Sequence, residues 1–382
     1  MALSSNAESL SVRLKQLFDK NFVLYRELGA AVSVWKNGTE IVDIWGGFRD
    51  ARREHSWTSD TIVLFWSATK GLGSACLLHA MQENNVELNE PVAKFWPEFA
   101  QAAKESITLA QLLSHQAGLC ALDEAVDILD YDAIIHAIER QSPLWVPGSG
   151  HGYHARTFGF FLDELTRRIT GQTVAEYWRR TFAEPLALDI WLALPPQENG
   201  RVATIYAAKA GKAPEPAAFY HDLSRAGTIA RRTFTSPHGL HSVAAMNGPA
   251  VRARAIVSFS GIGSARSLAK FYAMLANGGE LGGDGFFAEK TLGWMKKTLS
   301  DGIDRVFQIP TAFSAGFMKD SHSTARRIFG PSPSAFGHPG AGGSHAFADP
   351  DHNISFAYVM NQMEQSVLPN EKSLRLVDAL YD

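Results

Sequence analysis

A chain of 382 residues, 46% hydrophobic and 20% charged, has room for one large domain or two average ones, and for a core that needs no disulfide or structural metal. A net charge of −3 with no dense Lys/Arg block argues against a nucleic-acid or anionic-membrane binder. Two cysteines, Cys76 and Cys120, are too few for a disulfide framework or a thiolate zinc site and read as buried small hydrophobes.

In chain order, residues 1–10 are Ser/Ala-rich and lack the basic-then-apolar pattern of a secretory signal. No run approaches the ~18 apolar residues of a membrane span. A cytoplasmic location is expected. Residues 8–28 carry apolar positions at helical spacing. Residues 30–34 and 40–45 flank Asn37-Gly38, whose tolerance of positive φ predicts a hairpin. An apolar run over 61–66 reads as a strand leading into Ser67, and the small and apolar residues 71–81 read as a buried helix. Helices are predicted over 109–113, 131–140 and 157–170, the last stopped by Gly171, and over 267–277 before Gly278-Gly279. The stretch 195–256 lacks periodicity but is too long for a bare loop, so short elements or a functional surface are expected inside it. Strands over 346–349 and 354–360 surround Pro350-Asp351, and a terminal helix follows.

Strands at both ends with helices between predict an α+β fold. Residues 1–75 and 255–382 would supply an antiparallel sheet with flanking terminal helices. Residues 76–254 would form a mostly helical insertion with substrate-facing loops, all within one catalytic unit.

The pattern S-x-x-K, a serine one helical turn from a lysine, occurs at Ser33–Lys36, Ser67–Lys70 and Ser267–Lys270. The first copy lies in a strand, where that spacing puts the two side chains on opposite faces. The third lies in a helix with its own apolar stripe, and its serine reads as an exposed helix-start residue. Ser67-Ala68-Thr69-Lys70 opens a buried helix, so Ser67 and Lys70 share one face at contact distance, beside the free N–H groups of a helix start. A lysine titrates near ~10.4 in water, and burial lowers that value toward a usable base.

In this context the sequence resembles the serine β-lactamase and penicillin-binding-protein superfamily. Within it, the chain is most similar to class C β-lactamase-like proteins and family VIII carboxylesterases. Ser67-Ala68-Thr69-Lys70 stands for the first motif, and Leu112-Leu113-Ser114-His115-Gln116-Ala117-Gly118-Leu119 for a characteristic helical segment. Pro147-Gly148 with Tyr153-His154-Ala155 resembles the second motif, and His338-Pro339-Gly340 occupies the third. Residues 263–279 resemble the helix before the final sheet. The resemblance implies that Ser67 attacks a carbonyl, with Tyr153 as base and Lys70 balancing its proton. Tyr153 would ionise more readily through positive charge on Lys70 and His338. The oxyanion hole would be the N–H groups of Ser67 and of Ala341, the latter on the strand after Gly340. Trp66, His154, His338 and Gly340 are the candidates for contact with substrate.

Two departures bear on the substrate. Ala155 replaces an amide-bearing asparagine, and His338-Pro339-Gly340 replaces a Lys-Thr-Gly that receives a carboxylate. Such a site suits uncharged short- to medium-chain esters, with weak β-lactam hydrolysis expected alongside. β-Lactamase, D-amino-acid peptidase or amidase, and acyltransferase activity are the alternatives. Phe65, Trp66, Trp145, Phe158, Phe219 and Tyr220 are each a core residue or part of an apolar pocket. G-x-S-x-G is absent, which argues against a nucleophile elbow. His151 and His154, the closest histidine pair, lack carboxylates at ligand spacing, so no metal or cofactor is expected.

Overall fold

The computed structural model describes residues 2–209, 216–324 and 326–382. The first hairpin pairs β1 (Gly29–Lys36) with β2 (Thr39–Gly47), and Asn37 and Gly38 take the expected positive φ of 50° and 70°. Three short strands, β3 (Val63–Leu64), β4 (Ile190–Trp191) and β5 (Ile262–Gly263), form a small separate sheet, and β6 (Glu280–Leu281) pairs with β7 (Asp284–Gly285). The remaining strands are β8 (Ser300–Ile303), β9 (Pro310–Phe313), β10 (Met318–Lys319), β11 (Phe336–Pro339), β12 (His345–Asp349) and β13 (Ile354–Met360). Together with the hairpin they build an eight-stranded antiparallel sheet in the order β2-β1-β13-β12-β11-β10-β9-β8. The fold is α+β, with the sheet drawn from both ends of the chain.

Every residue of β13 is buried, as are the first six residues of β1, because both faces of the sheet are covered. Helix Ala265–Ala276 packs on one face, and the terminal helices Ala2–Leu24 and Glu371–Tyr381 pack together on the other side. A buried ion pair ties this layer down. Lys372 Nζ lies 3.0 Å from Glu27 Oε2, and the Tyr358 hydroxyl donates to the same oxygen at 2.8 Å. Burial pushes the Glu27 carboxyl up despite Lys372, so the pair is held against a desolvation cost. Lys372 also lies 2.9 Å from Glu364 Oε1, but removing Lys372 leaves the Glu27 carboxyl buried without a cation. Lys372→Met is therefore expected to destabilise the protein by about 3–5 kcal/mol in urea unfolding, with the m-value unchanged.

The helices Leu109–Leu113, Tyr131–Arg140 and Phe158–Thr170 match their expected spans, and Gly171 closes the last with φ 76°. The stretch 195–256 holds short helices at Ala217–Leu223, Ile229–Thr235 and Pro249–Arg252; its residues 210–215 lie outside the described residues. The expected strand over 61–66 shrinks to Val63–Leu64, because the backbone turns at Phe65 into a 3₁₀ turn, Trp66–Ala68. The short strands β8 to β10 carry no alternation long enough to read and were not foreseen. On β1 the odd spacing puts Ser33 and Lys36 on opposite faces; Ser33 is buried, and Lys36 is exposed at the strand's end. Ser267 is a correction: it is buried, and its hydroxyl accepts from Asp189 N at 2.8 Å, while Ser264 is the helix cap. Both cysteines are buried and free. Among the described residues no helix is long and apolar enough to cross a membrane.

Candidate active site

Ser67 sits in the 3₁₀ turn that runs into helix Thr69–Glu83. The turn is forced. Trp66 has φ +53°, a left-handed conformation that bulky residues avoid. Neighbours hold it there. Phe65 N donates to Gly261 O at 2.8 Å, Thr69 Oγ1 donates to Trp66 O at 2.5 Å, and Gly261 N donates to Thr69 Oγ1 at 2.9 Å. From the other side the end of β11 closes on the same turn, where a β-carbon on Gly340 would lie 2.0 Å from Phe65 O. Gly340 is therefore a close-approach glycine. Its N–H donates to Ser344 O at 2.7 Å, so the expected substrate contact at Gly340 is corrected to a packing role. Ala341 lies in a one-turn 3₁₀ segment, Ala341–Gly343, between β11 and β12, not on a strand. Among the described residues, neither the Ser67 nor the Ala341 N–H is taken by a backbone acceptor outside its own helical turn.

Lys70 is fully buried, with Nζ 3.2 Å from Ser67 Oγ, 2.9 Å from Ala155 O and 2.7 Å from Ser258 O. Burial, reinforced by the nearby Arg156 guanidinium, pushes its pKa well below the ordinary lysine value. A neutral amine has two N–H donors and one lone pair. In the neutral form the two carbonyls would accept both N–H bonds, which turns the lone pair toward the Ser67 hydroxyl. Ser258 locks this cradle: its hydroxyl donates to Arg156 O at 2.7 Å and accepts from Gly159 N at 2.8 Å.

Tyr153 is buried, its hydroxyl lies beside the Ser67 side chain, and Lys70 Nζ lies 4.9 Å from its ring centroid. Its backbone is pinned residue by residue. Gly152 N donates to His115 O at 3.1 Å, Tyr153 N reaches the buried Asp304 carboxylate at 3.1 Å, and His154 N donates to His115 Nδ1 at 3.2 Å. Asp304 also accepts from Val306 N, Phe307 N and Thr311 Oγ1. The ring stacks on Phe307 with centroids 4.9 Å apart.

The expectation of a readily ionised phenol is corrected. Burial raises the Tyr153 hydroxyl, contact with Ser67 offsets part of that, and the Asp304 charge adds to it. His338 brings no cation to help. It is 1% exposed, its ring centroid is 5.9 Å from that of Tyr153, and burial together with Lys70 lowers it to about 3. Burial thus works against charge on all three groups of the site, amine, phenol and imidazole.

His154 is a second correction. It is fully buried, its Nδ1 lies 2.7 Å from Gly152 O, and its Nε2 accepts from Leu119 N at 3.0 Å, so neither nitrogen is free for substrate or metal. His151 Nε2 is likewise engaged, 2.8 Å from Thr311 Oγ1. Of the aromatic candidates, Phe65, Phe158 and Phe219 are core; Trp66 and Tyr220 are half-buried, and Trp145 is nearly buried. Arg156, Ser258 and Asp304 were missed, since each acts through contacts more than 85 residues away in sequence (Ser258 on Arg156, at a separation of 102, and Asp304 on Tyr153, at 151) or through backbone neighbours of the site. His115 was visible inside its segment, but its clamping role was not.

A serine at the start of a buried helix, a fully buried lysine one turn on, and a tyrosine fixed beside both, all set against an antiparallel sheet, define a serine hydrolase of the β-lactamase/transpeptidase fold. The chain belongs to the Beta-lactamase family, whose profile matches residues 14–379. It is 32% identical over 349 residues to the esterase/beta-lactamase LipL of Mycobacterium tuberculosis, covering 88% of this chain and 77% of that protein. The crystal structure of a family VIII carboxylesterase superposes with a TM-score of 0.87 at 33% identity, covering 97% of each chain. A penicillin-binding-protein homologue from Caulobacter crescentus superposes with a TM-score of 0.86, also at 33% identity and 97% coverage of each chain.

Proposed function

We propose that this protein is a serine carboxylesterase that hydrolyses short- to medium-chain uncharged esters through an acyl-enzyme on Ser67. The observation that supports the reading is the Lys70 cradle, with Nζ 2.9 and 2.7 Å from two buried carbonyls and 3.2 Å from Ser67 Oγ, where a neutral amine would give both protons to the carbonyls and turn its lone pair to Ser67. In the first half-reaction Lys70 takes the Ser67 proton as Oγ attacks the ester carbonyl. The N–H groups of Ser67 and Ala341 receive the developing oxyanion. Collapse breaks the ester C–O bond. Tyr153 hands its proton to the departing alkoxide and is reprotonated from Lys70. Water then repeats the sequence on the acyl-enzyme, releasing the acid and restoring Ser67.

This assignment makes Tyr153 a proton relay rather than a resting phenolate, because burial and Asp304 both oppose its ionisation. Tyr153→Phe is expected to lower kcat about 10²–10³-fold with KM little changed, measured on p-nitrophenyl butyrate. An undiminished kcat would remove Tyr153 from the proton path.

Two features support an ester over a lactam. Ala155 offers no side-chain hydrogen bond to an acyl amide, and a neutral His338 offers no cation to a carboxylate. The deciding experiment is a kinetic panel of short-chain p-nitrophenyl esters, a cephalosporin and a D-alanyl-D-alanine peptide. Ester kcat/KM is expected to exceed the other two by at least about a hundredfold. Faster lactam or peptide turnover would replace the esterase reading with a lactamase or peptidase one.

A further inference from the structure

His338 keeps an unused acceptor inside the site. Its Nδ1 lies 2.8 Å from the Pro339 carbonyl, which can only accept, so the ring proton is on Nδ1 and Nε2 carries the lone pair. Among the described residues no protein group donates to that Nε2, although the ring is 1% exposed. A buried acceptor without a donor is costly, and a ligand group that supplies one recovers that cost on binding. The imidazole stands beside Tyr153, the proton donor to the departing alcohol in the reading above, with ring centroids 5.9 Å apart. With its proton on Nδ1 and spent on Pro339 O, the neutral ring offers no donor to an anion at Nε2.

We infer that His338 Nε2 accepts a hydrogen bond from a second hydroxyl on the alcohol part of the substrate, so that the site selects monoesters of diols and similar polyols and rejects esters whose alcohol carries a carboxylate. The inference rests on the esterase reading above and deepens it. It reverses the polarity of recognition: a lysine at this position would receive a carboxylate, whereas a neutral imidazole with its lone pair inward receives a hydroxyl and repels an anion. By microscopic reversibility the same contact favours diols over plain alcohols as acceptors of the acyl group.

The test compares butyrate release from 2-hydroxyethyl, 2-methoxyethyl, propyl and carboxymethyl butyrate, with p-nitrophenyl butyrate as an activated reference. The hydroxyethyl and methoxyethyl esters have leaving groups of similar acidity and differ in the donor, while the propyl ester matches the hydroxyethyl ester in size. The hydroxyethyl ester is expected to show kcat/KM on the order of tenfold above the methoxyethyl and propyl esters, with the carboxymethyl ester slowest. In His338→Phe the hydroxyethyl-to-propyl ratio should fall to about one. In His338→Lys the carboxymethyl ester should overtake the propyl ester. Equal rates on all four alkyl esters in the wild-type protein, with the reference ester turned over, would overturn the role of His338 and leave the esterase reading standing. So would a His338→Phe variant that slows every ester by the same factor. Failure to hydrolyse even the reference ester would overturn both. Because the wild-type series alone discriminates, a variant that does not fold leaves the inference testable.

Discussion

Ser67→Ala is expected to cut hydrolysis of p-nitrophenyl butyrate by at least about 10⁴-fold and to abolish the burst of p-nitrophenol that marks an acyl-enzyme. The loss should fall on kcat, because the apolar surroundings and the N–H groups of Ser67 and Ala341, proposed above to receive the oxyanion, do not depend on the hydroxyl. The fold should be retained. Ser67 is only half-buried, and the turn that carries it is held by Phe65, Thr69 and Gly261 through bonds that do not involve the Ser67 side chain. The measurement pairs steady-state kinetics with intact-protein mass after ester addition. A variant that still gains the mass of an acyl group would place the nucleophile elsewhere. The other two copies of the serine–lysine pattern are poor substitutes. On β1 the pair is split between faces, and in the helix Ala265–Ala276 the lysine donates to Leu186 O at 2.6 Å while Ser267 holds Asp189 N.

Lys70→Met is the second large effect, and it separates catalysis from stability. Without the amine, Ser67 has no base at contact distance, and kcat/KM is expected to fall about 10³–10⁴-fold. The same change leaves the carbonyls of Ala155 and Ser258 buried without their donor, so unfolding free energy should drop by about 1–3 kcal/mol for each. The pH dependence carries the sign. A lysine whose pKa is depressed by burial and by Arg156 is protonated below that depressed value and neutral above it. Wild-type kcat/KM should therefore rise with pH through a single limb set well below 10.5 and remain flat above it, as long as Tyr153 keeps its proton. His338, lowered to about 3, should add no limb between pH 5 and 8. Replacing Arg156 with Gln removes a positive neighbour, so the limb should move to higher pH. A limb that moves down instead would mean that Lys70 is not the titrating base.

Much of the site was legible because local chemistry carried it. The i, i+3 spacing of Ser67 and Lys70 puts them on one helix face wherever that helix lies, and Asn37-Gly38 makes its hairpin from two residues that tolerate positive φ. Apolar periodicity placed the helices 109–113, 131–140 and 157–170, since each must bury one stripe whatever it packs against. The motif order along the chain brought Tyr153 and His338 into the same site as Ser67. What those side chains do there was a different matter. The sequence contains no sign that the Tyr153 phenol is raised rather than lowered, that the His338 Nε2 lacks a donor, that His154 is consumed by Gly152 and Leu119, or that Gly340 serves the approach to Phe65. These are properties of burial and of partners remote in the chain. A pKa depends on which charges and dipoles surround a group and how much water is removed, and a donor is spent or free according to what folds against it. Spacing and apolar periodicity act over short range, so the contact between Ser67 and Lys70 and the α+β frame could be read from the chain alone. Tertiary structure alone decided the protonation states, the clamp of Asp304 and His115 on the Tyr153 loop, and the polarity of the His338 acceptor, because electrostatics in a buried site is set by everything packed around it.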